Sequence, residues 1–330
     1  MKEFGTELLG VKLLKKMNHK EFLGCRYPIV ASPMNRVSDL KLAIACANAG
    51  IFPSFNIFNW WNPIDQALAI TDLNRDLKEF RNRASGDFLL SITTQLMASE
   101  SIYKLMIDHK VSHLEILDQP DEKSNITLSN HNVFQPYKDA GIKIIPKQLS
   151  GHNAKNVIMD GIMLKRKEGA GRGFEHINMD EEIVKIKNDA PNLPMIVSGG
   201  IGTTEDIQKY LDMGCIAVGI GTLLAASEES CISLESKRKM IEATAADIQR
   251  MGNGKGLQKP IYDIYSSQNA LVFSELPGTD DFNNTRSLAA GVRNANMGHI
   301  FVGTGIDHVK EIKPVNDIIQ ELVAGLRDIS

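Results

Sequence analysis

Short apolar runs recur through the first two thirds of the chain, and the stretches between them carry apolar residues at helical spacing. The runs are Tyr27–Ala31, Ile51–Phe55, Phe88–Thr93, His113–Leu117, Ile142–Pro146, Gly161–Lys165, Met195–Ser198 and Cys215–Ile220. Between most of them, Leu40–Ala49, Pro63–Leu77, Ser99–His109, Val133–Ala140, Met179–Asn188 and Thr204–Met213 read as amphipathic helices. Strands that alternate with helices predict a parallel sheet. Runs that are apolar throughout, rather than at every second residue, fit strands covered on both faces. Eight such units in succession predict an α/β fold of the closed (β/α)₈ TIM barrel type rather than an open doubly wound sheet.

After Leu224 the pattern changes. Ser227–Arg250 reads as a long helical stretch, with Ile241, Ala245 and Ile248 on its apolar face. Met251–Asn296 is rich in Gly, Asn, Asp and Ser and shows no clear period, which is long for a connection inside a compact domain and predicts a lid. Order returns over Met297–Ile329, which ends in a helix from Pro314 to Leu326. The expected organisation is a barrel over residues 1–226, then a helical and lid segment, 227–330, that packs back on the barrel mouth.

The seventh and eighth runs end alike. The first stops in Ser198-Gly199-Gly200-Ile201-Gly202 and the second in Gly219-Ile220-Gly221-Thr222. Glycine lets a backbone approach closely, and bare N–H groups at strand-to-helix turns hold a phosphate. In a β/α barrel, loops seven and eight are the usual phosphate site. The first run ends in Ala31-Ser32-Pro33-Met34, a corner of small and apolar residues against which a flat ring can lie.

Composition narrows the partners. The formal net charge is -3, so the basic footprint of a nucleic-acid binder is missing. The longest near-apolar stretch, Cys215–Ala226, falls short of the roughly 20 residues a membrane span takes. No secretory leader pattern opens the chain, and Cys25, Cys46, Cys215 and Cys231 are scattered, so free thiols and a cytoplasmic setting are expected. No Cys and His lie at zinc spacing, and no metal is expected. The partner implied is a small molecule, and a homodimer is compatible with this reading.

The sixth run enters Lys165-Arg166-Lys167-Glu168-Gly169-Ala170-Gly171-Arg172-Gly173. A dinucleotide fingerprint fails there, because Phe174 stands where its last glycine belongs. A lysine at the end of a barrel strand can stabilise the negative charge that a reduced flavin develops at N1, and both Lys165 and Lys147 stand at such ends. Among the histidines, His152 and His176 follow the fifth and sixth strands and can approach the mouth, although a lone loop histidine is more often simply a surface residue. Gln268, Asn269, Asp281, Asn283, Asn284 and Arg286 form a polar set suited either to covering a site or to facing solvent.

Taken in order, these segments resemble the nitronate monooxygenase (2-nitropropane dioxygenase-like) family of FMN-dependent barrels, which includes type II flavin enoyl-ACP reductases and NADH:quinone reductases. Pro28–Met34 resembles its P-I-(V/I)-x-(A/G/S)-P-M strand, and Asn48-Ala49-Gly50 its S-N-A-G-G segment. Val197–Ile201 resembles its A-G-G-I, and Gly219–Leu224 with Glu228-Glu229-Ser230 its M-G-T-R-F…E-S. Gly298–Leu326 is similar to its closing G-Q-V…I-K-x-V…I…E-L segment. The resemblance implies FMN, with Ser198, Gly199, Gly200, Gly219, Gly221 and Thr222 at its phosphate. It places Ser32, Pro33 and Met34 along the isoalloxazine and Lys165 where the family often has a glutamine facing the flavin; Lys147, Gly171 and Gln95 are further candidates for the flavin site, although Ile92-Thr93-Thr94-Gln95 replaces the family's asparagine-containing tip of strand three. The family's strand-six motif E-A-G-G-H-x-G carries the usual catalytic histidine; here Arg172 stands in that position. Arginine does not deprotonate near neutral pH, so it can anchor an anion but cannot abstract a proton.

The implied activity is nitronate-type oxidation: a small anionic substrate held by Arg172, proton transfer by His152 or His176, and oxygen as acceptor. The rival within the family is an NAD(P)H-dependent reductase of enoyl thioesters or quinones, with NAD(P)H as reductant. The rival from another class is a barrel that binds a flavin or a phosphate-bearing ligand without catalysis.

Overall fold

The structure is a computed structural model that describes residues 17–60, 65–117, 131–147, 159–173, 178–250, 267–273 and 281–327. Eight parallel strands build the barrel: β1 (Ile29–Ala31), β2 (Ser54–Asn56), β3 (Leu89–Thr93), β4 (His113–Leu117), β5 (Lys143–Lys147), β6 (Ile162–Lys165), β8 (Met195–Ser198) and β9 (Ala217–Ile220). They run in the order β1-β9-β8-β6-β5-β4-β3-β2. A parallel bridge between Val30 and Phe52 closes the ring, with Ala31 N–H on the Phe52 carbonyl at 2.8 Å. The second strand is shorter than its apolar run, because Pro53 has no N–H to place in the ladder and splits the run into that bridge and Ser54–Asn56.

Five of the described helices around the barrel start where a side chain can satisfy their free N–H groups. Asp39 caps Leu40–Asn48, Asp65 caps Gln66–Arg83, Ser99 caps Glu100–Asp108 and Asn178 caps Met179–Asp189. Thr203 and Asp206 form a capping box at the start of Thr204–Asp212. The helix expected at Pro63–Leu77 begins after Asp65 and continues to Arg83, since Phe80 extends the buried stripe of Leu73 and Leu77.

Register and side-chain alternation sort the barrel interior into levels. In its lower half Val30, Phe52, Leu89, Ile145, Met163, Ile196 and Ala217 pack together with Phe22 and Leu23. The last two belong to the helix His19–Leu23, which plugs the bottom. His113 Nε2 lies 2.8 Å from the Phe22 carbonyl, and Lys143 Nζ donates to the same oxygen. All four cysteines are free thiols.

Residues after 226 depart from the sequence reading in two places. The long helical stretch over Ser227–Arg250 contains only Leu234–Glu242 as α-helix, followed by a 3₁₀ turn, Ala245–Asp247, and β10 (Gln249–Arg250). Serine hydroxyls turn back on nearby backbone here: Ser227 Oγ donates to the Leu224 carbonyl and Ser230 Oγ accepts the Ile232 N–H, which competes with helix, while Ser233 caps the start of Leu234–Glu242. The stretch 251–296, read as lacking periodicity, includes β11 (Ser267–Val272) and the helix Asp281–Arg293. β11 lies between β10 and β12 (His299–Phe301) and pairs also with β7 (Gly171–Gly173), giving a small antiparallel sheet beside the barrel. That strand is specified by partners far away in sequence, so no local signal announces it.

Candidate functional site

The inward positions change character at the carboxyl ends of the strands. Above the apolar level stand Ser32, Ser91, Glu115, Lys147, Lys165, Ser198 and Gly219, a largely polar rim at the mouth of the barrel. Ser198 is buried, and a Cβ placed on Gly219 would lie 2.7 Å from Ser198 Cβ and 2.8 Å from Ser32 Oγ. Ser32, Gly219 and Ser198 are therefore immediate neighbours across β1, β9 and β8. Pro33 is buried behind this rim, and Met34 Sδ lies 3.5 Å from the Cβ position of Gly221.

The glycine turn after β8 has the conformation the sequence demands. Gly199 and Gly200 take φ of 101° and 67°, where a side chain would be strained. Gly199 also packs against Gly169, since an added Cβ would come within 2.9 Å of its Cα. Among the described residues, the N–H groups of Gly200 and Gly221 have no hydrogen-bond acceptor. Unpaired N–H groups on two adjacent loops form an anion cradle.

A segment from the far end of the chain sits on these loops. Gly303 N–H donates to Thr222 Oγ1 at 3.0 Å, and Thr304 N–H donates to the Glu168 carbonyl at 2.9 Å. Thr304 Oγ1 would be 2.5 Å from a Cβ on Gly200. Thr222, expected at a phosphate, thus spends its hydroxyl at least partly on Gly303. The sequence reading passed over Gly303 and Thr304; the Gly-Thr-Gly following an apolar strand was the available signal.

The two lysines have different surroundings. Lys165 Nζ donates to the Ala170 carbonyl in its own loop. Lys147 Nζ lies 2.5 Å from Glu115 Oε1, with the carboxylate side chain 0% exposed and the lysine 13%. Ser91 Oγ approaches the same oxygen at 3.5 Å, and Glu115 Oε2 is buried without a partner among the described residues. Glu115 was missed in the sequence because it sits inside the run His113–Leu117, where an acid between Leu114 and Ile116 was the only sign.

Gln95 is exposed on the 3₁₀ turn Thr94–Ala98 after β3. Gly171 and Arg172 contribute backbone to β7, opposite Asn269 and Gln268. His152 and His176 lie outside the described residues. Asn269, one of the polar set after residue 251, is buried and donates to the carbonyls of Lys167 and Gly169 at 2.7 and 2.8 Å, stapling the strand-six loop. Arg286 and the backbone of Asp281, Asn283 and Asn284 belong to the helix Asp281–Arg293. His299 is fully buried, with Nδ1 2.9 Å from Ser287 Oγ, and burial pulls its pKa down to about 4.

The family model for nitronate monooxygenase matches residues 124–325, more than half of the chain and both glycine turns. The chain belongs to the nitronate monooxygenase family. It is a member of a flavin oxidoreductase family built on this barrel.

Solved structures with this fold include FabK from Thermotoga maritima, 21% identical with a TM-score of 0.72 over 93% of this chain and 94% of that one. Nitroalkane oxidase from Streptomyces ansochromogenes is 16% identical, with a TM-score of 0.68 over 94% and 98%. The enoyl reductase domain of MlnA from Bacillus amyloliquefaciens is 12% identical, with a TM-score of 0.68 over 92% and 95%. Two thiazole synthases match shorter stretches. That of Zymomonas mobilis is 31% identical over 75 residues (23% of this chain), and that of Acinetobacter baylyi 24% identical over 163 residues (46%). The chain spans 28% and 58% of the length of these two curated relatives.

Proposed function

We propose that this family member is an FMN-dependent oxidoreductase that oxidises a small anionic substrate of the nitronate type, with oxygen as acceptor. The observation that carries the FMN reading is the pair of glycine turns after β8 and β9, with unpaired N–H groups beside a buried polar rim. The residues fit the group: the cradle accepts a phosphate, and the orphaned Glu115 Oε2 and the Lys147 ammonium show a barrel mouth built for polar contacts. When bound, FMN supplies two-electron redox chemistry that no protein side chain here provides.

The chain's own residues supply the rest. Gly200 and Gly221 hold the phosphate through their N–H groups, with Gly199 giving the turn its close approach, and Ser32, Pro33 and Met34 offer the wall for the ring. Lys147 holds positive charge at the inner edge of the mouth. Arg172 binds the substrate anion, and His152 or His176 moves a proton. The family match supports the flavin oxidoreductase reading.

The test is direct. Purified protein is expected to be yellow or to take up added FMN, and to consume oxygen with an alkyl nitronate. Colourless protein that binds no FMN overturns the proposal. Rapid bleaching by NADH under anaerobic conditions, without turnover of nitronates, replaces the oxidase reading with an NAD(P)H-dependent reductase.

A further inference from the structure

The ion pair inside the barrel mouth is unusual for what surrounds it. Just below it the interior holds Ile145, Met163 and Leu89, with the His113 ring packed edge-on against Phe22 and Phe52. One strand position higher, β4 carries a carboxylate with no solvent exposure. Burying a carboxylate is costly, and an ion pair offsets the cost only when its remaining lone pairs are satisfied. Here one oxygen faces Lys147, while the other has no partner among the described residues. An apolar pair would serve the fold as well, so stability does not explain the arrangement.

The geometry explains what the pair does to Lys147. Lys147 is the last residue of β5 and stands two positions beyond Ile145, the residue opposite Glu115. Its flexible stem is anchored by the carboxylate one strand away, so the ammonium keeps one position at the inner edge of the mouth. The same carboxylate opposes the lysine's charge. Lys165, the other lysine of the rim, is turned to the Ala170 carbonyl.

We propose that Glu115 is a positioning residue that fixes the Lys147 ammonium and damps the positive field it exerts on bound FMN. The pairing is seen in the structure; its action on the cofactor rests on the FMN reading above. Glu115 touches no reacting atom in this assignment and acts through Lys147. Removing the carboxylate's charge leaves the lysine's field undamped and favours any form of the flavin that carries negative charge.

The experiment uses the full-length protein loaded with FMN and three variants, Glu115→Gln, Lys147→Gln and the double substitution. The probe is sulfite, whose addition to bound flavin leaves the ring negatively charged and bleaches its visible absorbance. E115Q is expected to tighten sulfite binding about tenfold, and K147Q to weaken it by a similar factor, the effect of one neighbouring charge on an ionisation. In the K147Q background, E115Q is expected to change sulfite affinity less than about twofold, because the carboxylate acts on the flavin through the ammonium. The flavin midpoint potential moves in the same directions. Glu115→Asp, which keeps the charge but draws it back by one methylene, is expected to fall between wild type and E115Q; it is the second variant should E115Q fold poorly.

An E115Q protein that retains FMN with unchanged sulfite affinity and potential overturns the positioning role alone. So does an E115Q effect of equal size with and without Lys147, which makes the carboxylate act directly. Wild-type protein that takes up no FMN overturns the FMN reading and this proposal together, before any variant is made.

Discussion

The hydroxyl of Thr222 accepts a hydrogen bond from the Gly303 N–H at 3.0 Å, joining the turn after the eighth barrel strand to a segment 81 residues later. Thr222 is buried, so the bond has no water to replace it. The contact makes the C-terminal segment part of the wall behind the glycine cradle.

Thr222→Val keeps the shape and removes the acceptor. Leaving the Gly303 N–H buried and unpaired is expected to cost about 1–3 kcal/mol, read as a lower urea midpoint at unchanged slope. FMN affinity, measured by fluorescence titration, is expected to fall in parallel. Unchanged stability would show that the bond contributes nothing to holding the segment.

Gly200 faces two separate demands. Its φ is 67°, and an added Cβ would meet Thr304 Oγ1 at 2.5 Å and Glu168 Cβ at 2.6 Å. Gly141 has φ of 79° and nothing within 4 Å of such a Cβ. Gly141→Ala is expected to cost only the backbone strain, about 1–2 kcal/mol, and to leave FMN affinity intact. Gly200→Ala is expected to cost about 1–3 kcal/mol more through overpacking and to weaken FMN binding at least tenfold, or about 1.4 kcal/mol. Equal behaviour of the two variants would remove the cradle from the FMN site.

Two buried histidines make stability depend on pH. Burial lowers His113 to about 3 and His299 to about 4, from an ordinary value of 6.5. Both are neutral in either state above pH 6.5, and the unfolded chain gains the protons first as pH falls. Stability is therefore complete above about 6.5 and falls through the window toward 4 and 3, each histidine contributing up to about 1.4 kcal/mol per pH unit. Urea unfolding between pH 7 and pH 5 is expected to show this slope. His299→Leu, which also removes the unpaired Nε2, is expected to reduce it by close to one proton. A slope unaltered in that variant would exclude His299 as a source.

Arg172→Ala separates substrate binding from the flavin site. Loss of one charge-assisted hydrogen bond to an anion, about 1.5–3 kcal/mol, is expected to raise KM for an alkyl nitronate roughly tenfold or more. The visible spectrum of the bound flavin is expected to stay the same. An unchanged KM would take Arg172 out of substrate binding.

The barrel and its order of strands were readable because each β/α unit is built from local contacts: an apolar run, a capping Asp, Ser, Asn or Thr, and an amphipathic stripe. The turns at Gly199–Gly200 were readable for a related reason, since left-handed backbone calls for glycine in the chain itself. What escaped was of another kind. Serine hydroxyls cut the expected helix over 227–250 to Leu234–Glu242. β11 lay hidden in a stretch without period, because its neighbours come from residues 171–173, 249–250 and 299–301.

At the site, the sequence by itself determined where a phosphate-binding turn stands and which residues end each strand, because those depend on backbone freedom and side-chain periodicity. Only the tertiary structure decided which strand ends face one another across the barrel. Closure set Glu115 against Lys147 and laid Gly303 and Thr304 over the glycine loops. These are contacts between residues distant in the chain, fixed by strand order, register and the curvature of the barrel, and no local pattern of residues encodes them.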